Sequence, residues 1–247
     1  MSRLFTAAAL IIGNEILSGR TRDANTAYLG RRLNELGVRL VEVRVVPDLE
    51  EAIVAALQAL QATNDYVFTT GGIGPTHDDI TVDAVAKALG RRVVEHPEAR
   101  RLLEDYYGDR INEARLRMAR APEGAQLIEN PVSRAPGLRI DNVFVLAGIP
   151  EIMQAQFEAA AAEIQGGLPL QSVSLPLALP ESTIAPGLGD LQLRYPDVEM
   201  GSYPYQRDGR YGTSLVLRAV DGERLAAAAA DLRQLIADLG GRIEEET

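Results

Sequence analysis

The sequence contains no cysteine, no tryptophan and a single lysine, Lys87. The missing cysteine excludes a disulfide framework, a thiolate nucleophile and a thiolate metal site. Any metal must therefore sit on oxygen or on the two histidines, His77 and His96. Lysine chemistry is left with one candidate, and Lys87 reads as a helix-surface residue. Basic charge is also scarce: 25 Lys and Arg stand against 35 Asp and Glu, for a net charge of −10. Nucleic-acid affinity comes largely from clustered cations that release counterions. No basic stripe with interleaved aromatics is present, so no nucleic-acid partner is expected. Long apolar runs are absent as well. The stretch from Leu4 to Ile12 is too short to span a bilayer and lacks the basic flank and cleavage site of a signal peptide. No membrane association is expected, and the expected location is the cytoplasm.

What is there is a regular alternation. Phe5 to Ile12, Leu40 to Val46 and Tyr66 to Thr70 are short apolar or β-branched runs, the pattern of strands buried on both faces. Each is followed by a helical stretch. Ala24 to Leu36 follows Asp23, Leu49 to Ala62 follows Asp48 with Glu51 in capping-box spacing, and Ile80 to Leu89 follows Asp78 and Asp79 and stops at Gly90. Repeated strand–turn–helix units predict an α/β domain, a mostly parallel sheet with helices on both faces. Later segments are more varied: a strand at Arg92 to Glu95, helices at Pro97 to Tyr107 and Ile111 to Arg120, a pair of strands at Gln126 to Glu129 and Val143 to Ala147 joined by the turn-rich segment from Asn130 to Gly137, and a helix from Glu151 to Ile164. Gly166-Gly167-Leu168-Pro169 is the natural linker, dividing the chain into residues 1–167 and 168–247. The second part reads as a small α+β domain. It has strands near Ser172 to Ala178, Glu199 to Tyr205 and Ser214 to Val220, a short helix after Ser182 and an Ala-rich helix from Gly222 to Leu239. The Glu244-Glu245-Glu246 tail reads as a solvated end.

In open α/β sheets, ligands bind beyond the carboxyl ends of the strands. The first strand delivers Gly13-Asn14-Glu15 and the loop to Asp23 and Asn25, the second Pro47-Asp48, and the third Gly71-Gly72-Ile73-Gly74-Pro75 with Asp78 and Asp79. Glycines let backbone N–H groups approach phosphate oxygens. Carboxylates beside them would repel phosphate unless a hard cation bridged the two, as Mg²⁺ does with one or two carboxylates plus phosphate oxygens. A phosphorylated ligand held with a divalent cation is one reading of this rim. The other is purely local: Asp23, Asp48 and Asp79 all stand where helix N-caps belong. His77 reads more simply as an exposed turn residue than as an acid–base group, and His96, before Pro97, as structural.

The same residues carry a resemblance. Gly13-Asn14-Glu15-Ile16-Leu17-Ser18-Gly19 with Asp23 and Asn25, Val46-Pro47-Asp48, the block from Thr69 to Thr81 with Asp83, Asn130 with Ala135-Pro136-Gly137, and Ala147-Gly148-Ile149-Pro150-Glu151 are similar to the molybdopterin-binding family of the MogA/MoaB fold. Within it the chain most resembles the N-terminal domain of the CinA (competence/damage-inducible) branch in its short stand-alone form, over roughly residues 1 to 165. The resemblance implies a three-layer α/β/α domain followed by a small KH-like α+β subdomain. It implies a site in which Asp48, Asp78 and Asp79 are catalytic, and Gly13, Glu15, Asn25, Thr70, Gly71, Gly72, Gly74, Pro75 and Thr81 bind the ligand. Glu15, Asp23, Asp48 and Asp79 would hold Mg²⁺, Mn²⁺ or Co²⁺.

In the molybdenum-cofactor branch, acids matching Asp48 and Asp79 are tied to molybdopterin adenylylation or metal insertion. In the CinA branch the domain is associated with metal-dependent hydrolysis of ADP-ribose, and the related domain of eukaryotic FAD synthase with hydrolysis of FAD. The resemblance thus implies a pyrophosphatase acting on a nucleotide diphosphate such as ADP-ribose or FAD. The alternative is a molybdopterin-binding or transfer protein without hydrolysis. It also implies a homodimer or other homo-oligomer. The deamidase domain of full-length CinA proteins has no counterpart in this sequence, so deamidation is not expected. Ala147 and Ser133 replace a proline and a glycine common among relatives, which bears on the identity of the ligand.

Overall fold

The computed structural model describes residues 3–207 and 210–244. Glu245 and Glu246 of the acidic tail lie outside the described residues. By its internal packing the chain divides into two compact units, Met1–Gly167 and Leu168–Thr247.

The first unit runs β1 (Phe5–Ile12), α1 (Asn14–Leu17), α2 (Asn25–Glu35), β2 (Val38–Val46), α3 (Glu50–Gln61), β3 (Tyr66–Thr70), α4 (Thr81–Ala88), β4 (Val93–Glu95), α5 (Pro97–Tyr107), α6 (Glu113–Leu116), β5 (Arg120–Pro122), β6 (Gln126–Ile128), β7 (Gly137–Ile140), β8 (Val143–Leu146) and α7 (Pro150–Ala160). Its six-stranded sheet has the order β2-β1-β3-β8-β7-β6, parallel from β2 through β8 and antiparallel at β7 and β6. The chain leaves β1 for β2 on one side and leaves β3 for β6 on the other, which makes the crevice between the carboxyl ends of β1 and β3 a topological switch point.

Both faces of the sheet are covered, giving the three layers the sequence predicts. Ala8, Leu10 and Ile12 of β1 pack with Ile53, Leu57 and Leu60 of α3 and Ala84 and Val85 of α4. The alternate residues Ala7, Ala9 and Ile11 pack with Leu29 and Leu33 of α2 and Met153 and Phe157 of α7. The period of two along β1 sends successive side chains to opposite cores, so an unbroken apolar run is what a doubly covered strand requires. On the second face Phe68 and Phe144 stack at 4.9 Å, with Phe157 5.5 Å from Phe68. All three rings are fully buried, and truncating any one to alanine costs about 3–5 kcal/mol.

Three expectations are corrected. β2 is an edge strand, and Val41, Val43 and Val45 are exposed; burial on both faces holds for β1 and β3 but not for β2. The helix expected over Ile111 to Arg120 shrinks to α6 and a 3₁₀ turn at Arg117–Ala119, because Arg120–Pro122 pairs with β4 instead. Gln126–Ile128 and Val143–Leu146 do not pair directly: β7 lies between them and bonds to both.

The second unit is β9 (Gln171–Leu177), α8 (Glu181–Arg194), β10 (Glu199–Arg207), β11 (Arg210–Ala219) and α9 (Gly222–Asp238), an antiparallel sheet of order β10-β11-β9. Its core joins Leu175, Leu215 and Leu217 of the sheet to Ile184, Leu191, Leu225, Leu232 and Ile236 of the helices. α8 is longer than its composition suggests, with Pro186 inside it. The buried Ile184 and Leu191 on either side of the proline hold the helix to the core. Among the described residues, no helix is long and apolar enough to cross a membrane.

Candidate functional site

A cavity of about 460 Å³ opens at the carboxyl ends of β1, β3 and β8, a volume suited to a small organic ligand. Glu15, Gly71, Gly72, Gly74, Pro75 and Asp79 all line it. Gly13, Asp23, Asn25, Asp48, Thr70, Asp78 and Thr81 do not, although each lies in the segments that frame it.

The glycine block owes its shape to close backbone approach. Gly71 has φ +100°, and a Cβ there would lie 2.2 Å from the Ile12 carbonyl oxygen, so no other residue fits. Thr81, fully buried at the start of α4, donates from Oγ1 to the Gly71 carbonyl at 2.8 Å and from its N–H to the Gly72 carbonyl at 3.0 Å. These bonds fold the block back on α4. Among the described residues, the N–H groups of Gly72, Ile73 and Gly74 donate to no protein acceptor. Three consecutive amides without acceptors, on a loop lining a cavity, are what an anionic oxygen needs.

The acids take up different positions from those of N-caps. Asp48 does not cap α3, whose N-cap is Leu49 with no side-chain bond. Its Oδ2 instead accepts the Asn14 N–H at 2.8 Å, tying the second strand's end to α1. Asp79 does not cap α4 either. Its Oδ2 accepts the N–H of Thr76 at 2.8 Å and the Thr76 hydroxyl, and the carboxylate stands over Gly74, where a Cβ would lie 2.7 Å from Oδ2. The Glu15 carboxylate stands over Gly13 in the same way. Asp23 does serve locally: its Oδ1 accepts from the N–H groups of Asn25 and Thr26 at 2.9 and 3.3 Å. Asp78 is exposed. The Thr76 side chain, then its own backbone amide and His77, hold its carboxyl below the usual range. His77 is 96% exposed with Nδ1 3.9 Å from Asp78, outside the cavity lining.

The opposite wall is lined by Asn130, Ser133, Ala135 and Ala147, from the later segments that carry the resemblance, and by Gln156, which sequence reasoning passed over. Gln156 is fully buried; its Oε1 accepts the Ala147 N–H at 2.8 Å and its Nε2 donates to the Ala135 carbonyl at 3.3 Å. Asn130, also buried, donates to the same carbonyl at 2.7 Å and accepts from Val132 and Ser133. Gly148 continues the wall, with a Cβ position only 3.2 Å from the Gly71 Cα. A glutamine between two apolar turns of α7 was the one available sign, since a buried amide must find partners.

Among the described residues, no three carboxylates or imidazoles converge into a set that could enclose a metal ion. Mg²⁺ held chiefly by phosphate oxygens and water asks for only one or two protein carboxylates. Glu15 and Asp79, on one cavity, meet that smaller demand. Asp23 and Asp48 lie off the cavity with oxygens already engaged by backbone amides.

Comparison with known proteins places these features in context. Residues 8–165 match a family described as a probable molybdopterin binding domain, and residues 169–240 match the middle domain of FAD synthase. A protein of Aeropyrum pernix is 36% identical over 95% of this chain and 95% of its own length. A probable FAD synthase of Caenorhabditis elegans is 33% identical over 94% of this chain, which spans 50% of that protein. Among solved structures, the CinA protein of Thermoplasma acidophilum, of unknown function, is 34% identical and superposes with a TM-score of 0.61 over 65% of this chain and 98% of that one.

Proposed function

The chain belongs to the molybdopterin-binding domain family in its CinA-type form, and from that premise we propose that it is a divalent-metal-dependent pyrophosphatase acting on a dinucleotide-like metabolite such as FAD or ADP-ribose. The observation that carries this reading is the meeting, on one cavity, of the three free amides of Gly72, Ile73 and Gly74 with the Glu15 and Asp79 carboxylates. Free amides attract phosphate and carboxylates repel it, so the pair makes chemical sense around a ligand that brings both phosphate and a cation. The match of residues 169–240 to the FAD synthase middle domain, and the relative named probable FAD synthase, support a flavin dinucleotide as one substrate to test.

In this reading the amides hold the phosphate that is attacked and stabilise the charge developing on its oxygens. Glu15 would hold the cation together with phosphate oxygens, and Asp79 would hold it through the water that it activates. A divalent ion bound there would neutralise phosphate charge and lower the pKa of its water. Asp79 Oδ2 is occupied by Thr76, which leaves Oδ1 to orient water and accept its proton as the new P–O bond forms and the anhydride P–O bond breaks. Asp48 acts as a positioning residue: its bond to the Asn14 N–H fixes α1, which carries Glu15. Ile73, Met118, Ile149 and Ile152 supply apolar surface for a ring.

The test is AMP release from ADP-ribose and from FAD with Mg²⁺, Mn²⁺ or Co²⁺, for the parent and for Asp79→Asn. Loss of about a hundredfold or more in the variant is expected from removal of an acid–base group; unchanged metal-dependent turnover rules the assignment out. A second reading, molybdopterin binding without hydrolysis, is favoured by the family match over residues 8–165. It predicts pterin fluorescence in the purified protein and no turnover of either dinucleotide.

A further inference from the structure

β2 is an edge strand nine residues long, and its outer side is open. Beyond its ladder to β1, no backbone hydrogen bond reaches Glu42 to Val45 among the described residues. Val41, Val43 and Val45 are 55%, 40% and 39% exposed. The one irregularity in its register falls at Val41 and leaves Glu42 to Val46 in step with β1. Among the described residues, the other sheet edges are each blunted. β4, β5 and β6 are only three residues long. On β10 the Met200 N–H donates to Gln192 Oε1 at 3.2 Å, and Pro204 has no N–H to offer. The free edge of β9 is bridged by Ile243, and the Glu244 N–H donates to the Pro176 carbonyl at 2.7 Å. An open edge with exposed apolar side chains is a template for another strand, and β2 has neither lysine nor proline to discourage one.

The residues of β2 say which strand. Read antiparallel to itself, the segment Val41-Glu42-Val43-Arg44-Val45 sets Val43 opposite its own copy, Val41 opposite Val45 and Glu42 opposite Arg44. That is the reciprocity a two-fold axis through Val43 demands. A charge on the axis would face its own copy and repel it. Glu42 and Arg44 instead stand symmetrically about the axis, so each meets its opposite, and the valines pair with valines. In the single chain Arg44 Nε donates to Glu42 Oε1 at 2.7 Å, and both side chains stay open to solvent, free to join a four-residue network. We propose that β2 is a self-association surface, where two copies of this chain join through antiparallel β2 strands about an axis at Val43. The six-stranded sheet of one copy then continues into that of the other, with the carboxyl ends of their parallel strands pointing in opposite directions. The proposal gives the expected homo-oligomer a specific interface and is independent of the pyrophosphate reading.

The experiment has two arms, both on the full chain. The sequence has no cysteine, so a single introduced cysteine can form a disulfide only with its own copy. At the axis the two Cα atoms of residue 43 are about 4.5–5.5 Å apart, a separation that a disulfide spans. Val45 lies opposite Val41 of the partner subunit, which leaves its own copy about 13 Å away along the strand. Under mild oxidation Val43→Cys therefore gives a covalent dimer and Val45→Cys does not. In the second arm, sedimentation of the parent across the micromolar range gives twice the chain mass. Glu42→Arg and Arg44→Glu each set two pairs of like charges opposite one another and weaken association by about tenfold or more. The double variant Glu42→Arg/Arg44→Glu restores it, which a variant that had merely lost its fold could not do. A monomeric parent, equal linking of the two cysteine variants, or association that ignores both single swaps overturns the proposal.

Discussion

The two walls of the large cavity are built in opposite ways. The Gly71 to Asp79 wall is local: Thr81 reaches back ten residues to Gly71, and Asp79 reaches back three to Thr76. The Asn130 to Gln156 wall is assembled from three separate segments, the loop after β6, the turn after β8 and the face of α7, joined through one buried amide. A local wall carries its conformation in its own residue types. An assembled wall depends on a single side chain arriving from a distance, so its residue types look ordinary.

That contrast makes graded predictions. The largest effect is expected on the local wall, where Gly71→Ala places a Cβ 2.2 Å from the Ile12 carbonyl oxygen at φ +100°. A loss of about 3 kcal/mol or more is expected in chemical denaturation; a stable variant would mean that the block's glycines are not needed for its shape. Next comes the assembled wall. Gln156→Leu leaves the Ala147 N–H without its acceptor in a buried site, at about 2 kcal/mol. The same variant should loosen the wall, raising KM for any substrate more than it lowers kcat, whereas a merely destabilised fold would leave both parameters unchanged below its melting temperature. The smallest effect is electrostatic. Thr76→Val removes the main influence that keeps the Asp78 carboxyl below its usual range, so its titration by NMR should move up towards that of an ordinary aspartate. By linkage, the folded state's preference for ionised Asp78 holds above the ordinary carboxylate range and is lost as pH falls through the depressed value. The parent should therefore lose this contribution on acidification and the variant should have little to lose.

The same contrast explains what was legible beforehand. β1, β3 and the helices that cover them were readable because an eight-residue apolar run and amphipathic helices ending at Gly37 and Gly90 need no partner to be recognised. β7 was not: Gly137-Leu138-Arg139-Ile140 directly follows Pro136 and is only four residues long, so the turn signal hides the strand. The sequence predicts only a short helix after Ser182; α8 runs on through Pro186, a residue that breaks helices in isolation, because its packing against the second unit's core overrides that cost. Asp48 shows the limit most clearly. Its spacing to Glu51 reads as a cap for α3, yet its carboxylate turns to Asn14 on a neighbouring strand's loop. Both uses satisfy an orphan amide, and nothing within ten residues of sequence distinguishes them.

The sequence by itself determined the layered α/β architecture, the rim on which glycines and acids gather, and the exclusion of thiolate chemistry, because apolar period, glycine and the absence of a residue type act locally or through composition. The tertiary structure alone decided which acids reach the cavity, Glu15 and Asp79 rather than Asp23, Asp48 or Asp78, and that Gln156 closes its far side. Those outcomes depend on distances between strands adjacent in the sheet but remote in the chain. A hydrogen bond formed across such a gap is chosen by which buried group would otherwise go unpaired, and that competition exists only once the chain has folded.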